Sequence, residues 1–135
     1  MLPAHQEGHI SSPLAISVYS DSSHTGQGAG YRYAIYYSST LVTQGQGPLG
    51  PWTEVYDAEI MGAVEGLQAA VSLPCTTYAN QLNIFLDNLA AASLLADGRP
   101  APHRRHLTDT FHQLSKQWLS LLYILASPHR PVQIS

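Results

Sequence analysis

Three acidic residues, Asp21, Glu59 and Asp87, stand where an α/β scaffold could put them to chemical use. Asp21 closes the alternating run Ala15 to Ser20 and precedes a stretch rich in Ser and Gly. Asp87 closes the apolar run Gln81 to Leu86. Strand ends of α/β sheets are where ligands bind. Glu59 belongs to a predicted helix over residues 57–72. At 100° per residue it falls with Gly62, Ala63, Gly66 and Ala70, beside the apolar stripe of Ile60, Val64, Leu67 and Val71. It does not fall on the polar arc of Met61, Glu65, Gln68 and Ser72. A carboxylate beside an apolar stripe is costly unless paired or metal-bound, so Glu59 is expected near the sheet, facing Asp21 or Asp87. Small neighbours would let its helix approach closely. Three converging carboxylates repel one another, and a hard divalent cation such as Mg²⁺ or Mn²⁺ resolves that repulsion. Two such ions about 4 Å apart can activate a water and stabilise a leaving oxygen in phosphodiester cleavage. Taken singly, the acids have plainer readings. An Asp at a strand end is a turn former or cap, Asp57 reads as a helix N-cap, and Glu59 could pair with an Arg. The three in this order are harder to explain as caps.

The elements that must position them follow from the pattern. Ala15 to Ser20 alternates as a strand, and Asp21 to Gly30 reads as a turn-rich break. Tyr31 to Tyr37 and Thr40 to Thr43 are β-prone, with Tyr31, Tyr33, Tyr36 and Tyr37 read as sheet packing. Residues 45–51 read as a loop. Pro74 ends the first helix, Gln81 to Leu86 is a buried-type strand, and residues 88–96 form a short helix. Residues 106–126 read as one long amphipathic helix, and Val132 to Ile134 as the start of a last strand. A strand, a helix and then a strand imply a parallel crossover. The expected fold is therefore α/β, with a five-stranded mixed sheet, three antiparallel strands followed by parallel crossovers, flanked by helices.

Length and composition set limits. The 135 residues suit one domain, with residues 1–13 as a flexible leader and 14–135 as the folded unit. Apolar residues make up 44% and charged residues 11%, which excludes a chain disordered throughout. The single Cys75 excludes a disulfide framework and a Cys-rich zinc site. His103 and His106 are spaced as a ligand pair but lack further partners. No secretory signal or membrane-length apolar run is evident, so an intracellular, soluble protein without membrane contact is expected. A net charge of -3 with six Lys and Arg gives no basic stripe. The nearest substitute is His103-Arg104-Arg105-His106, where Arg104 and Arg105 could touch phosphates; the plainer reading is a solvated helix start.

Three segments together resemble the type 1 ribonuclease H family, especially the domains attached to retrotransposon reverse transcriptases. They are Val18-Tyr19-Ser20-Asp21-Ser22-Ser23 followed by Gly28-Ala29-Gly30-Tyr31, then Tyr56-Asp57-Ala58-Glu59-Ile60, then Ile84-Phe85-Leu86-Asp87-Asn88. The resemblance spans residues 15–134. It implies divalent-metal-dependent endonucleolytic hydrolysis of the RNA strand of an RNA–DNA hybrid. Asp21, Glu59 and Asp87 match three of the family's four metal-binding acids, with Mg²⁺ or Mn²⁺ as the implied cofactor. The backbone around Ser22, Ser23 and Gly28 is implied to approach the RNA, and Asn88 to sit near a ribose 2′-hydroxyl, the group that marks RNA.

The sequence also departs from the family. After its fifth strand the family continues into a Trp-Val-x-Gly-His-like loop and a helix carrying the fourth acid. Here the chain reaches Ser135 where that strand is expected. It thus reads as C-terminally shortened, with a weakened or absent second metal site. Asp97, Asp109 and His129 match no family position in this reading. A second function class stays open: a domesticated, catalytically weak or inactive domain that binds or scaffolds. Repurposing for a small-molecule reaction is a third, with no substrate indicated. Loss of the last helix would expose apolar surface through which the chain could form a homodimer or meet a partner protein.

Overall fold

The computed structural model describes residues 14–25, 28–48, 55–87, 89–97, 105–118, 121–126 and 130–132. The leader expected over residues 1–13 lies outside them. The described residues form one six-stranded sheet in the order β3-β2-β1-β4-β5-β6. Its strands are β1 (Ala15–Thr25), β2 (Gly28–Tyr37), β3 (Thr40–Pro48), β4 (Gln81–Leu86), β5 (Leu121–Ala126) and β6 (Arg130–Val132). The helices are α1 (Val55–Val71), α2 (Leu89–Asp97) and α3 (Arg105–Ser115). β1, β2 and β3 are antiparallel, and β4 and β5 then add in parallel. This is the expected five-stranded mixed arrangement, with β6 a short antiparallel addition at the β5 edge.

The helices cover one face of the sheet. Ile16, Val18, Ile35, Leu82, Ile84 and Leu86 meet Ile60, Val64 and Leu67 of α1, Leu95 of α2 and Phe111 of α3 in one buried core. The α1 stripe is the expected one. Close approach follows from its small residues: a Cβ on Gly66 would collide with Val18, and one on Gly62 with Ser20 and the carbonyl of Arg32. On the other face Tyr19, Phe85 and Leu125 form a second buried cluster flanked by Tyr36 and Tyr123. Tyr19 and Phe85 stack at 4.5 Å with rings 9° from parallel.

Four expectations about the elements are corrected. Asp21 does not end its strand, because β1 and β2 pair continuously from Ile16↔Tyr37 out to Thr25↔Gly28. The ladder supplies the backbone hydrogen bonds of these small polar residues. β3 likewise runs through the expected loop to Pro48, with Tyr33 and Tyr31 lying over Gly45 and Gly47. The long helix expected over 106–126 stops at Ser115, and Leu121–Ala126 is instead the fifth strand, in register with β4 from Gln81↔Leu121 to Leu86↔Ala126. A continuous apolar run suits a strand between two neighbours as well as a helix, and periodicity alone does not separate them. Finally, α1 spans Val55–Val71, so Asp57 lies within the helix rather than at its cap.

Candidate functional site on β1 and β4

The sheet brings Asp21 and Asp87 to matching positions. β1 and β4 pair in parallel from Ala15↔Gln81 to Tyr19↔Phe85. Two residues further along each chain stand Asp21 and Asp87. Side chains alternate between faces, so Asp21 shares the face of Tyr19, away from α1. Asp87 sits in the bend after β4 and is exposed.

Glu59 arrives from the helix side. It is buried, 3% exposed, despite its charge. The Ser20 hydroxyl donates to the Glu59 carbonyl at 2.6 Å, which fixes the first turns of α1 one residue from Asp21. Gly62 opposite Ser20 makes that approach possible. The bond joins the Glu59 backbone, not its carboxylate, to β1. Among the described residues, however, no three His, Cys, Asp or Glu side chains are gathered to hold one metal ion.

The Asp21 carboxylate has its own partners. Oδ1 accepts from the backbone N–H of Ser22 at 2.9 Å, and Oδ2 accepts from Nη2 of Arg32 at 2.8 Å. Arg32 is directly opposite Asp21 in the β1–β2 ladder, where opposite charges attract across the strands. The guanidinium is not fully satisfied, because its Nε is buried without a hydrogen-bond partner. A buried donor left unpaired costs on the order of 1–3 kcal/mol, so this pose holds the carboxylate but is not the best one for the arginine. Nearby on β2, burial pushes the Tyr31 phenol above its ordinary pKa, and the Glu65 carboxylate and Tyr33 add to the shift.

No protein-family model matches the chain, and no curated protein matches it. Solved structures do. The N-terminal ribonuclease H domain of Rv2228c from Mycobacterium tuberculosis aligns with a TM-score of 0.68 at 20% identity, over 85% of this chain and 84% of that one. Ribonuclease H1 of the halophilic archaeon Halobacterium salinarum aligns at 0.65 and 17% identity, over 83% and 84%. LC11 ribonuclease H1, solved in complex with an RNA/DNA hybrid, aligns at 0.68 and 14% identity, over 82% and 83%.

The fold is that of a ribonuclease H domain.

On this ribonuclease H-like fold, the remaining expected residues fall unevenly. Ser22 and Ser23 lie in the hairpin extension of β1, and Gly28 opens β2 opposite Thr25. Asn88 and Arg104 lie outside the described residues, and Arg105 is the first residue of α3. Moving the fifth strand to Leu121–Ala126 also changes the reading of the C-terminal segment. His129 lies outside the described residues. Arg32 is the residue that sequence reasoning missed. Its signal was present: it is the sole Lys or Arg before Arg99.

Proposed function

We propose that the chain is a ribonuclease H-type hydrolase that cuts the RNA strand of RNA–DNA hybrids with Mg²⁺ or Mn²⁺, using Asp21, Glu59 and Asp87 as its metal-holding carboxylates. The observation that supports this reading is the in-step pairing of β1 with β4 up to Tyr19↔Phe85, two residues before Asp21 and Asp87, together with the Ser20 bond to the Glu59 backbone carbonyl, which ties α1 to β1 beside Asp21. Carboxylate oxygens suit a hard divalent cation, and such an ion supplies an activated water and charge neutralisation at a scissile phosphate. The chain's own contribution is positional. Ser20 anchors the Glu59 turn, Gly62 lets it close on the sheet, and the Ser22 N–H orients the Asp21 carboxylate. The fit to a cation is conditional on Asp21 parting from Arg32.

The Asp21–Arg32 pair favours a second reading, in which the domain binds nucleic acid or scaffolds without cutting. A guanidinium already neutralises the carboxylate a cation would need. Labelled RNA–DNA hybrid incubated with the chain and Mg²⁺ or Mn²⁺ separates the two. Cleavage by the parent that vanishes in Asp21→Asn supports hydrolysis. Hybrid binding without cleavage, at high protein and metal concentration, supports the binding module.

A further inference from the structure

The two edges of the sheet are not alike. β6, at one end of the strand order, is three residues long and includes Arg130 and Pro131. Brevity, charge and proline are features that keep a sheet edge from pairing with another chain. β3, at the other end, has none of them before its last residue. It runs for nine residues, Thr40–Pro48, without a charged side chain. β2 takes its inner edge. Among the described residues, no backbone hydrogen bond outside the strand ladders reaches β3. The one irregularity of the β2–β3 ladder falls between Ile35 and Tyr36, and the pairing from Thr43 to Pro48 is regular. Tyr33 and Tyr31 lie over Gly45 and Gly47, an arrangement that steadies glycines on an edge strand. Leu41 and Val42, 46% and 41% exposed, add apolar surface near its start.

Such an edge fits a strand that is extended and neutral, and β3 itself answers that description. The chain has a net charge of -3, but no charged residue lies on β3, so a second copy meets no like charge there. Gln44 and Gln46 are exposed and share one face, opposite Ala34 and Arg32. An antiparallel two-fold at Gly45 sets Gln44 of each copy opposite Gln46 of the other. An amide is both donor and acceptor, so it pairs with its own kind, as in glutamine ladders. We propose that two copies of this chain join edge to edge through β3, making one continuous sheet from two six-stranded halves. The contact is isologous and closes on itself, because β6 offers no comparable second edge.

Sedimentation equilibrium of the full chain, over a wide range of concentration, tests this. The parent is expected to reach twice the mass of the chain. The double variant Gln44→Lys, Gln46→Lys puts like charges across the two-fold, and so does Gln44→Glu, Gln46→Glu. Each should weaken the dimer roughly tenfold or more. Mixed one to one, the two put opposite charges across the axis and dimerise together, a rescue that a merely damaged fold would not give. Tyr78→Lys, at a residue 72% exposed in the turn before β4, keeps the parental mass. Thermal melts establish that each variant is folded. A parent that stays monomeric throughout overturns the proposal and leaves the edge to a strand of another protein. A dimer that both charged variants retain overturns it as well, and so does one that their mixture fails to restore or that Tyr78→Lys abolishes.

Discussion

The two faces of the sheet are built for different ends. The helix-covered face is made of aliphatic side chains and small residues fitted to one another, with Gly62 and Gly66 holding α1 against Ser20 and Val18. The other face has one aromatic stack, Tyr19 on Phe85. Beyond it come the partly exposed Asp21–Arg32 ion pair and a polar cavity on β2 and β3 lined by Arg32, Gln44 and Gln46. The first face has little freedom to change, because close-packed interiors register even one added methyl group. The ion pair of the second face is partly exposed, and such pairs contribute little to stability. If the proposed function holds, stability and chemistry should be separable by substitution, although Ser20 and Asp21 are adjacent in sequence.

Substitutions can break or sharpen that contrast. The largest effect on stability is expected from Leu67→Ala, which removes a fully buried side chain of the helix face and should cost about 2–5 kcal/mol in denaturant unfolding. Gly66→Val comes next. Its side chain must displace Val18, and overpacking of this kind costs about 1–3 kcal/mol. Asp21→Asn should lower stability by less than about 1 kcal/mol, since its ion pair is only partly buried. A loss as large as that of Leu67→Ala would show that the ion pair is structural after all. Smallest is Ser39→Gly. Ser38 and Ser39 both have positive φ, 51° and 70°, in the tight β2–β3 turn, and glycine adopts that conformation freely. A gain of about 0.5–1 kcal/mol is expected, read as a rise in melting temperature.

Legibility in the sequence followed the same division. β4 could be read from its short run, buried at every position, and the stripe of α1 from periodicity, because one-sided burial imprints itself on residue order. Glu59 was legible for the same reason: a charge beside an apolar stripe is an exception that demands a cause. β5 was not, since Leu121–Ala126 lies between two strands and apolar residues at every position erase the period. The hairpin extension was hidden by Ser, Thr and Gly, and the β2–β3 turn by serines where Asn-Gly would have announced it. Arg32 was missed as a consequence. Once Thr25 is paired with Gly28, counting outward puts Arg32 opposite Asp21, but the stretch read as a break offered no register to count. The cross-strand partner of a site residue depends on the turn that sets the register, and turn chemistry was the weakest signal in this chain.

The central claim is that Asp21 and Asp87, each two residues beyond the last β1–β4 pair, form one site. Single-turnover cleavage of an RNA–DNA hybrid by Asp21→Asn, Asp87→Asn and the double variant tests it most directly. Residues that act as a unit are non-additive. Each single change is therefore expected to remove at least about a hundredfold of the rate, and the double change little more than either. An Asp87→Asn variant that cuts at the parental rate, in a protein that Asp21→Asn disables, would contradict the claim.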